Sequence, residues 1–574
     1  MSRGRLLMGH WASSPRLVCW QGPPDFESGL ATLVRFQPGE RPDRAVTPTW
    51  PEGILALSPA NADEEPTVVS QTRPAAVIVL AAGEGTRMKS ATPKVLHRMC
   101  GRSLLEHAVL AAADLEPEHL VVVVRHARDQ VTAHLAEIAE QVAGLVVADQ
   151  DEVSGTGRAV QCGLRALPPL SGTVVVTYGD VPLLSTATLR GLLEEHGERG
   201  NAVTVLTAEV ADPTGYGRVR RDDSGTVVAI VEHKDASDLE RAITEINSGI
   251  YAFDATVLDT ALGKLDGNNA AGERYLTDVL ALARAEGHRV AAVVTEDVWE
   301  TEGVNDRVQL ARLGAELNRR VLQRWMLEGV TVVDPATTWV DVTVRLEPDV
   351  TLLPGVQLHG GTRVAAHAVI GPDSTLTDVT VGCGASVVRS HGSDAVIEAD
   401  AKVGPFSYLR PGTRLGAGGK IGAFVETKNA DIGAGSKVPH LSYVGDAEIG
   451  EGSNIGAATV FVNYDGAAKH RTIVGDHVRI GSDTMLVGKT PPLVVGDGAY
   501  TAAGSVITGD VPPGAIAVAR GQQRNVEGWV ARRRAGSASA QAAAAAQARE
   551  AAADPRTAYD VHGDRRPAGD PGQE

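Results

Sequence analysis

Two stretches of this chain carry side chains whose types and spacing could do chemistry. In the first, an apolar run from Val77 to Leu80 ends in Ala81, Ala82 and Gly83-Glu84-Gly85-Thr86-Arg87-Met88, with Lys94 a little further on. Glycines there let backbone N–H groups approach phosphate oxygens, and the start of a following helix adds a favourable dipole. Arg87 and Lys94 supply cations. The segment is neither a GxxxxGK[ST] loop nor a GxGxxG fingerprint, because Met88 stands at the third glycine position. Wrapping a polyphosphate is the chemistry it suits.

In the second stretch, Val438-Pro439-His440-Leu441-Ser442-Tyr443 places a histidine and a tyrosine downstream of Arg410 and Lys428. A histidine with a reference pKa of about 6.5 can take a proton from an attacking ammonium near neutrality. Two cations on one face suit a sugar phosphate. A lone histidine is more often structural, so its reading depends on the elements around it.

Those elements fall into two kinds. From Val77 to about Leu317, strand-like runs (Leu120–Val124, Gly144–Ala148, Thr173–Thr177, Ala202–Leu206, Val290–Val294) alternate with amphipathic segments such as Leu104–Leu115 and Ala187–His196. The alternation predicts an α/β domain over 74–308, with a Rossmann-like, mostly parallel sheet and ligands at the carboxyl ends of strands. Residues 309–330 read as a linker helix. Over 331–530 aliphatic residues recur every sixth position, as at Leu358, Val364, Ile370 and Leu376, often followed by glycine. A six-residue period fits a parallel β-helix, three hexads to a triangular coil. It breaks at Phe461–Thr472 and near Lys489–Leu493, both expected as extruded loops. Arg410 and Lys428 lie three hexads apart, so they should stack on one face in successive coils.

Composition sets limits on what these modules do. A net charge of −17 argues against general nucleic-acid binding, so any phosphate site must be local. The four cysteines, Cys19, Cys100, Cys162 and Cys383, have neither metal nor disulfide-framework spacing, which points to reduced thiols and a cytoplasmic protein. No apolar run reaches the ~20 residues of a membrane span. Residues 1–73 are rich in Pro, Gly and Arg without periodicity and read as disordered, or as the product of an over-extended start. Residues 531–574 read as a disordered tail, with transient helix over Ala540–Ala553. Neither end shows core-forming periodicity.

The string LAAGEGTRM with Pro93-Lys94 resembles the signature of sugar-1-phosphate nucleotidyltransferases. With both modules in view, Val77–Trp529 is similar to the family of bifunctional bacterial N-acetylglucosamine-1-phosphate uridyltransferases and glucosamine-1-phosphate N-acetyltransferases, suppliers of a peptidoglycan precursor. The resemblance implies a left-handed β-helix, which runs against the usual right-handed crossover. It also implies a homotrimer and Mg²⁺, with UTP, acetyl-CoA, glucosamine-1-phosphate and N-acetylglucosamine-1-phosphate as partners. By the same resemblance Leu80, Ala81, Ala82, Gly83, Lys94, Gln150, Gly155, Thr156, Tyr178, Gly179 and Asp180 bind the nucleotide. Gln150 and nearby backbone groups can pair with uracil's imide edge. Gly217, Glu232, Asn247 and Asn305 meet the sugar phosphate, and Asp180 with Asn305 holds the metal. Arg87 and Lys94 are the catalytic cations. On the β-helix, His440 is the general base, Arg410, Lys428, Tyr443 and Asn454 take the sugar phosphate, and Ala457, Asn463, Tyr464, Lys469, Ser482, Ala502 and Arg520 contact coenzyme A. Val462 departs from the family, which often has cysteine there, and the long Lys489–Leu493 segment puts the contacts around Ala502 in doubt.

Two other readings stand beside this one. A nucleotidyltransferase of other base or sugar specificity could carry a β-helix used only for assembly. A non-catalytic scaffold, like the exchange-factor subunits of eukaryotic translation initiation, could share both folds. Intact Arg87, Lys94, Asp180 and Asn305 speak against the scaffold, and His440 with Arg410 and Lys428 speaks against a mute β-helix.

Overall fold

The computed structural model describes residues 73–266, 269 and 271–553. The expected extension before Arg73 and the last part of the tail lie outside the described residues.

Among the described residues, nine strands build the N-terminal sheet: β1 (Ala76–Ala81), β2 (His119–Val124), β3 (Leu145–Asp149), β4 (Thr173–Tyr178), β5 (Val203–Glu209), β6 (Arg218–Arg221), β7 (Val227–Val231), β8 (Glu245–Asp254) and β9 (Val290–Thr295). Their order is β9-β5-β8-β4-β1-β2-β3, with the hairpin β6–β7 attached to β8. Strand β1 pairs in parallel with β2 and β4. It can be apolar throughout because helices cover both faces of the sheet. Ile78 and Leu80 pack on one side with Ala159 and Val160, whereas Val77, Val79 and Ala81 pack on the other with Leu105 and Val109. The helices involved are α1 (Leu104–Ala113), α2 (Arg128–Ala139), α3 (Thr156–Arg165), α4 (Thr186–Glu198), α5 (Ala255–Leu262) and α6 (Asp278–Ala285).

Besides the antiparallel hairpin β6–β7, one strand of the main order departs from the parallel pattern. β8 runs antiparallel to both β4 and β5, and its register shifts between Asn247 and Tyr251. Ile246-Asn247-Ser248-Gly249 lacks the apolar alternation of a strand, which hid this element from the sequence.

Helix α7 (Arg307–Leu327) follows, capped by the Asp306 carboxylate, which accepts from the Val308 and Gln309 N–H groups. Its Leu322 and Trp325 join the same apolar core as Val340, Leu358 and Leu376, so the helix closes the first coil of the repeat domain. That domain is a parallel β-helix. Along one face Val340 pairs with Leu358, Leu358 with Leu376, Leu409 with Thr427 and Thr427 with Val444, each pair one coil apart. The inward aliphatics are almost wholly buried, each worth about 1.5–3 kcal/mol. Corners turn through left-handed residues, among them Arg389, Phe406, Phe424, Leu441, Ala458 and Asp483 on one edge.

The breaks in the hexad pattern are loops. Tyr443 pairs with Val460 at the usual coil spacing, but Val460 pairs with Met485, and the surplus residues leave the prism around Asn463–Arg471. A shorter surplus sits at Lys489–Pro492, between strands Met485–Val487 and Leu493–Val495. The two loops touch, with His470 Nδ1 3.0 Å from Thr490 Oγ1. After the last coil, α8 (Ala538–Ala553) buries none of its residues. Alanine's high helix propensity favours it, where the sequence suggests only transient helix.

Candidate active sites

The first site is a cleft of about 360 Å³ at the carboxyl ends of β1, β2, β3 and β4. Leu80, Ala81, Ala82, Gly83, Lys94, Gln150, Gly155, Thr156, Tyr178 and Asp180 all line it. Gly179 stands behind them, its N–H bonded to Leu80 O at 2.9 Å, and a Cβ there would lie 2.8 Å from Leu105. The glycines answer to local geometry. Gly85 has φ +69, and a Cβ on it would sit 2.5 Å from Lys94 Cβ. Gly155 has φ +119, with the Arg274 carbonyl oxygen 2.3 Å from where its Cβ would be. Gln150 donates its side-chain amide to Val153 O and Gly155 O, at 3.0 and 3.3 Å. Neither of these bonds uses its amide oxygen.

At the cleft's other end, four of the expected residues meet around one nitrogen. Lys94 Nζ donates to Asp180 Oδ2 and stands 3.4 Å from Asn305 Oδ1, which also accepts from Arg87 Nη2 at 2.8 Å. Backbone bonding joins the two acceptors' segments, since Val304 N–H donates to Asp180 O at 2.9 Å. A carboxylate and an amide oxygen therefore converge on a point already held by a cation. That donor set fits a hard divalent ion completed by phosphates and water.

The sugar-side residues are also adjacent. A Cβ on Gly217 would lie 3.3 Å from Glu232 Oε1 and 3.4 Å from Asn247 Cβ. Asn247 Oδ1 accepts from Gly249 N–H and from Tyr251 OH, both at 2.9 Å. Burial raises the Glu232 carboxyl above its usual range, and the nearby Asp235, Asp278 and Glu273 add to the shift. Tyr178 lies between the two ends, its phenol pushed up by burial and then by Asp180 and Glu232.

Sequence reasoning missed Arg125, His126 and Glu273, which line the same cleft. Arg125 and His126 directly follow β2, so the rule placing ligands at strand carboxyl ends could have found them.

The second group lies on the β-helix. Leu409 pairs with Thr427, so Arg410 and Lys428 follow one another in successive coils as their spacing demands. Arg410 pairs with Glu426 at 2.9 Å. Asn463 Nδ2 lies 3.3 Å from Tyr443 OH, and Lys469, bridged to Tyr464 across the extruded loop, has its ammonium pKa lowered by its side-chain contact with Lys428 and then by that residue's charge. Arg410, Lys428, Tyr443, Asn463, Tyr464 and Lys469 thus share one side of the prism.

Asn454, Ala457, Ser482 and Ala502 lie on the neighbouring face. Asn454 pairs with Lys437 and Arg479 in adjacent coils. Asp483 N–H donates to Ala457 O, and the Ala502 backbone abuts Gly481, so Ala457, Ser482 and Ala502 climb one ladder. His440 ends the strand Lys437–His440 at the corner between the two faces, its side chain exposed. Arg520 is exposed beyond the last coil, Ile516–Ala517. Within one chain these residues form two groups on adjoining faces, with His440 at the edge they share.

Comparison with known proteins agrees with this division. Residues 77–245 match the family described as the MobA-like NTP transferase domain. A protein of Kineococcus radiotolerans named bifunctional protein GlmU is 63% identical over 471 residues, covering 82% of this chain and 94% of its own length. Proteins of the same name from Pseudarthrobacter chlorophenolicus and Streptomyces avermitilis are 61% and 62% identical, over 97% and 98% of their lengths and 83% of this chain. With that identity over nearly the whole of each relative, and a nucleotidyltransferase cleft and a β-helix on one chain, this protein belongs to the GlmU family of bifunctional uridyltransferase–acetyltransferase enzymes.

Proposed function

We propose that this chain makes UDP-N-acetylglucosamine in two steps at two separate sites. Acetyl-CoA acetylates glucosamine-1-phosphate on the β-helix, and the product then takes a uridylyl group from UTP in the N-terminal cleft, releasing pyrophosphate. The observation that carries the first-domain reading is the convergence of Lys94, Arg87, Asp180 and Asn305 beside the glycine loop.

In the cleft, Gly83 and its neighbours lie against the phosphates, Gln150 with Gly155 and Thr156 faces the uracil, and Gly217, Glu232 and Asn247 hold the sugar. Positioned in line, the sugar phosphate oxygen attacks the α-phosphorus and pyrophosphate leaves; no covalent nucleophile is needed. Arg87 and Lys94 offset charge as it builds on the phosphates. Asp180 and Asn305 are the residues that would hold Mg²⁺, which supplies further charge neutralisation when bound.

On the β-helix, Arg410 and Lys428 take the sugar phosphate with Tyr443 and Asn454. His440 removes the proton from the ammonium, and the free amine attacks the thioester carbonyl, expelling the coenzyme A thiolate. Asn463, Tyr464, Lys469, Ala457, Ser482, Ala502 and Arg520 are the coenzyme A contacts. The chain works in this reading as a cytoplasmic homotrimer. Phe406, Phe424 and Leu441 support the assembly. They stand in strained left-handed corners, 54%, 58% and 60% exposed, with the two phenylalanine rings stacked at 5.2 Å. An apolar ladder of that kind calls for cover by a symmetry-related copy. Light scattering should give three chains per particle; a stable monomer at micromolar concentration would refute it.

The test of the activity is a coupled assay with glucosamine-1-phosphate, acetyl-CoA and UTP, omitting each in turn. The sugar nucleotide should form only when all three are present.

A further inference from the structure

The β-helix site holds a carboxylate to which no motif points. Asp446 occupies a left-handed corner with φ +50, in the same edge position as Asn429 and Asp394 of earlier coils. Its Oδ1 accepts from Asn429 Nδ2 at 2.9 Å, and its Oδ2 accepts from Asn463 Nδ2 at 2.5 Å. Asn463 Nδ2 also donates to Tyr443 OH at 3.3 Å. Both amide hydrogens of Asn463 are committed by these two bonds, which leaves its oxygen to accept from a ligand.

Charge around Asp446 points the same way. Burial raises its carboxyl, but bonds from Asn429 and Asn463 and the charges of Lys428 and Lys469 outweigh this and hold it below the usual carboxylate range. Lys428 and Lys469 are close enough that the first lowers the second, and Asp446 opposes that shift. Tyr443 also acts on the Lys469 charge, and the Arg410–Glu426 pair lies on the same face, Glu426 pairing with Tyr443 one coil on.

We propose that Asp446 is a positioning residue for acetyl transfer, fixing the Asn463 amide so that its oxygen meets a substrate N–H and offsetting the paired charges of Lys428 and Lys469. The proposal rests on reading this face as the acetyl-transfer site. Acting through other residues, Asp446 need not touch substrate. Its loss should therefore weaken binding at this face, of acetyl-CoA through Asn463 and Lys469 and of the sugar phosphate through Lys428.

Two variants of the full-length protein separate the roles. Asp446→Asn tolerates the left-handed corner and keeps an acceptor oxygen but loses the charge, whereas Asp446→Ala loses both. Acetyl transfer is measured for each from neutral to alkaline pH, with KM for glucosamine-1-phosphate and acetyl-CoA determined separately. Uridylyl transfer from ready-made N-acetylglucosamine-1-phosphate reports on folding. Asp446→Asn should raise the KM for acetyl-CoA and for glucosamine-1-phosphate by about tenfold with little change in kcat, and should move the alkaline loss of binding to lower pH. Asp446→Ala should also lower kcat by about tenfold, since Asn463 is released. Uridylyl transfer should be unchanged in both. Wild-type KM and pH profile in both variants would overturn the proposal, and so would equal losses in the two reactions. Lys428→Ala run alongside tells the levels apart: if it acetylates normally, the reading of this face has failed, and not only the role of Asp446.

Discussion

Lys94 and Asp180 form an ion pair in the N-terminal cleft, and the same ammonium stands 3.4 Å from Asn305 Oδ1. The lysine therefore competes for the two oxygens that would hold a metal. Removing it should have opposite effects on binding and on turnover. Lys94→Ala should bind Mn²⁺, alone and without nucleotide, about threefold to tenfold more tightly, because a like charge has gone. The same variant should lose about 10²-fold in uridylyl transfer. Metal titration by paramagnetic resonance checks the first part; weaker binding would contradict it.

Gly155 is held at φ +119 with the Arg274 carbonyl oxygen 2.3 Å from its would-be Cβ. Gly155→Ala must push the Gln150–Thr156 loop away from α6's leading segment. The KM for UTP should rise by at least about tenfold, with acetyl transfer unaffected. Steady-state kinetics with UTP varied is the check, and an unchanged KM would mean that this loop does not read the nucleotide.

These expectations show what the sequence could and could not express. Buried strands such as β1 and the hexad coils announce themselves because periodicity is set by burial, and burial by local pattern. The Arg410–Lys428 stacking follows from the same arithmetic. β8 was hidden because the Asn247–Tyr251 bulge interrupts its alternation, whereas Arg125 and His126 lay within reach of the strand-end rule although no motif surrounds them. Asp446 was invisible for a different reason: its role depends on Asn429 and Asn463, each in another coil, and only the folded pitch brings them together. Which residues of the β-helix site lie on adjoining faces was likewise a property of the corner geometry.

The junction between the two domains has its own test. Asn318 of α7, almost fully buried, donates to Thr338 O at 2.8 Å and accepts from Val340 N–H at 3.0 Å. Asn318→Ala strands both backbone groups and should cost about 2–4 kcal/mol. Urea unfolding followed by tryptophan fluorescence, with Trp325 on the same helix, should report the loss. A change under half a kilocalorie, the scale of a neutral surface substitution at ~0.5 kcal/mol, would show that the junction is not built this way.

Glu232 gives a pH dependence of defined sign. Burial, followed by Asp235, Asp278 and Glu273, raises its carboxyl in the native state. In the window between its ordinary and its raised value the native state binds more protons than the unfolded one, so stability there falls as pH rises. Glu232→Gln should remove that slope and be the more stable protein above the window, while its KM for N-acetylglucosamine-1-phosphate increases. Thermal melts across mildly acid pH check this; a steeper slope in the variant would show the sign to be wrong.

The central claim is that two independent chemistries share one chain on separately built modules. The most direct measurement assays each half-reaction in His440→Ala and in Asp180→Ala. His440→Ala should lower acetyl transfer by about 10²–10⁴-fold yet still make the sugar nucleotide from N-acetylglucosamine-1-phosphate and UTP. Asp180→Ala should do the reverse, and EDTA should stop only the uridylyl step. Normal acetylation by His440→Ala, or loss of both reactions from either substitution, would contradict the account.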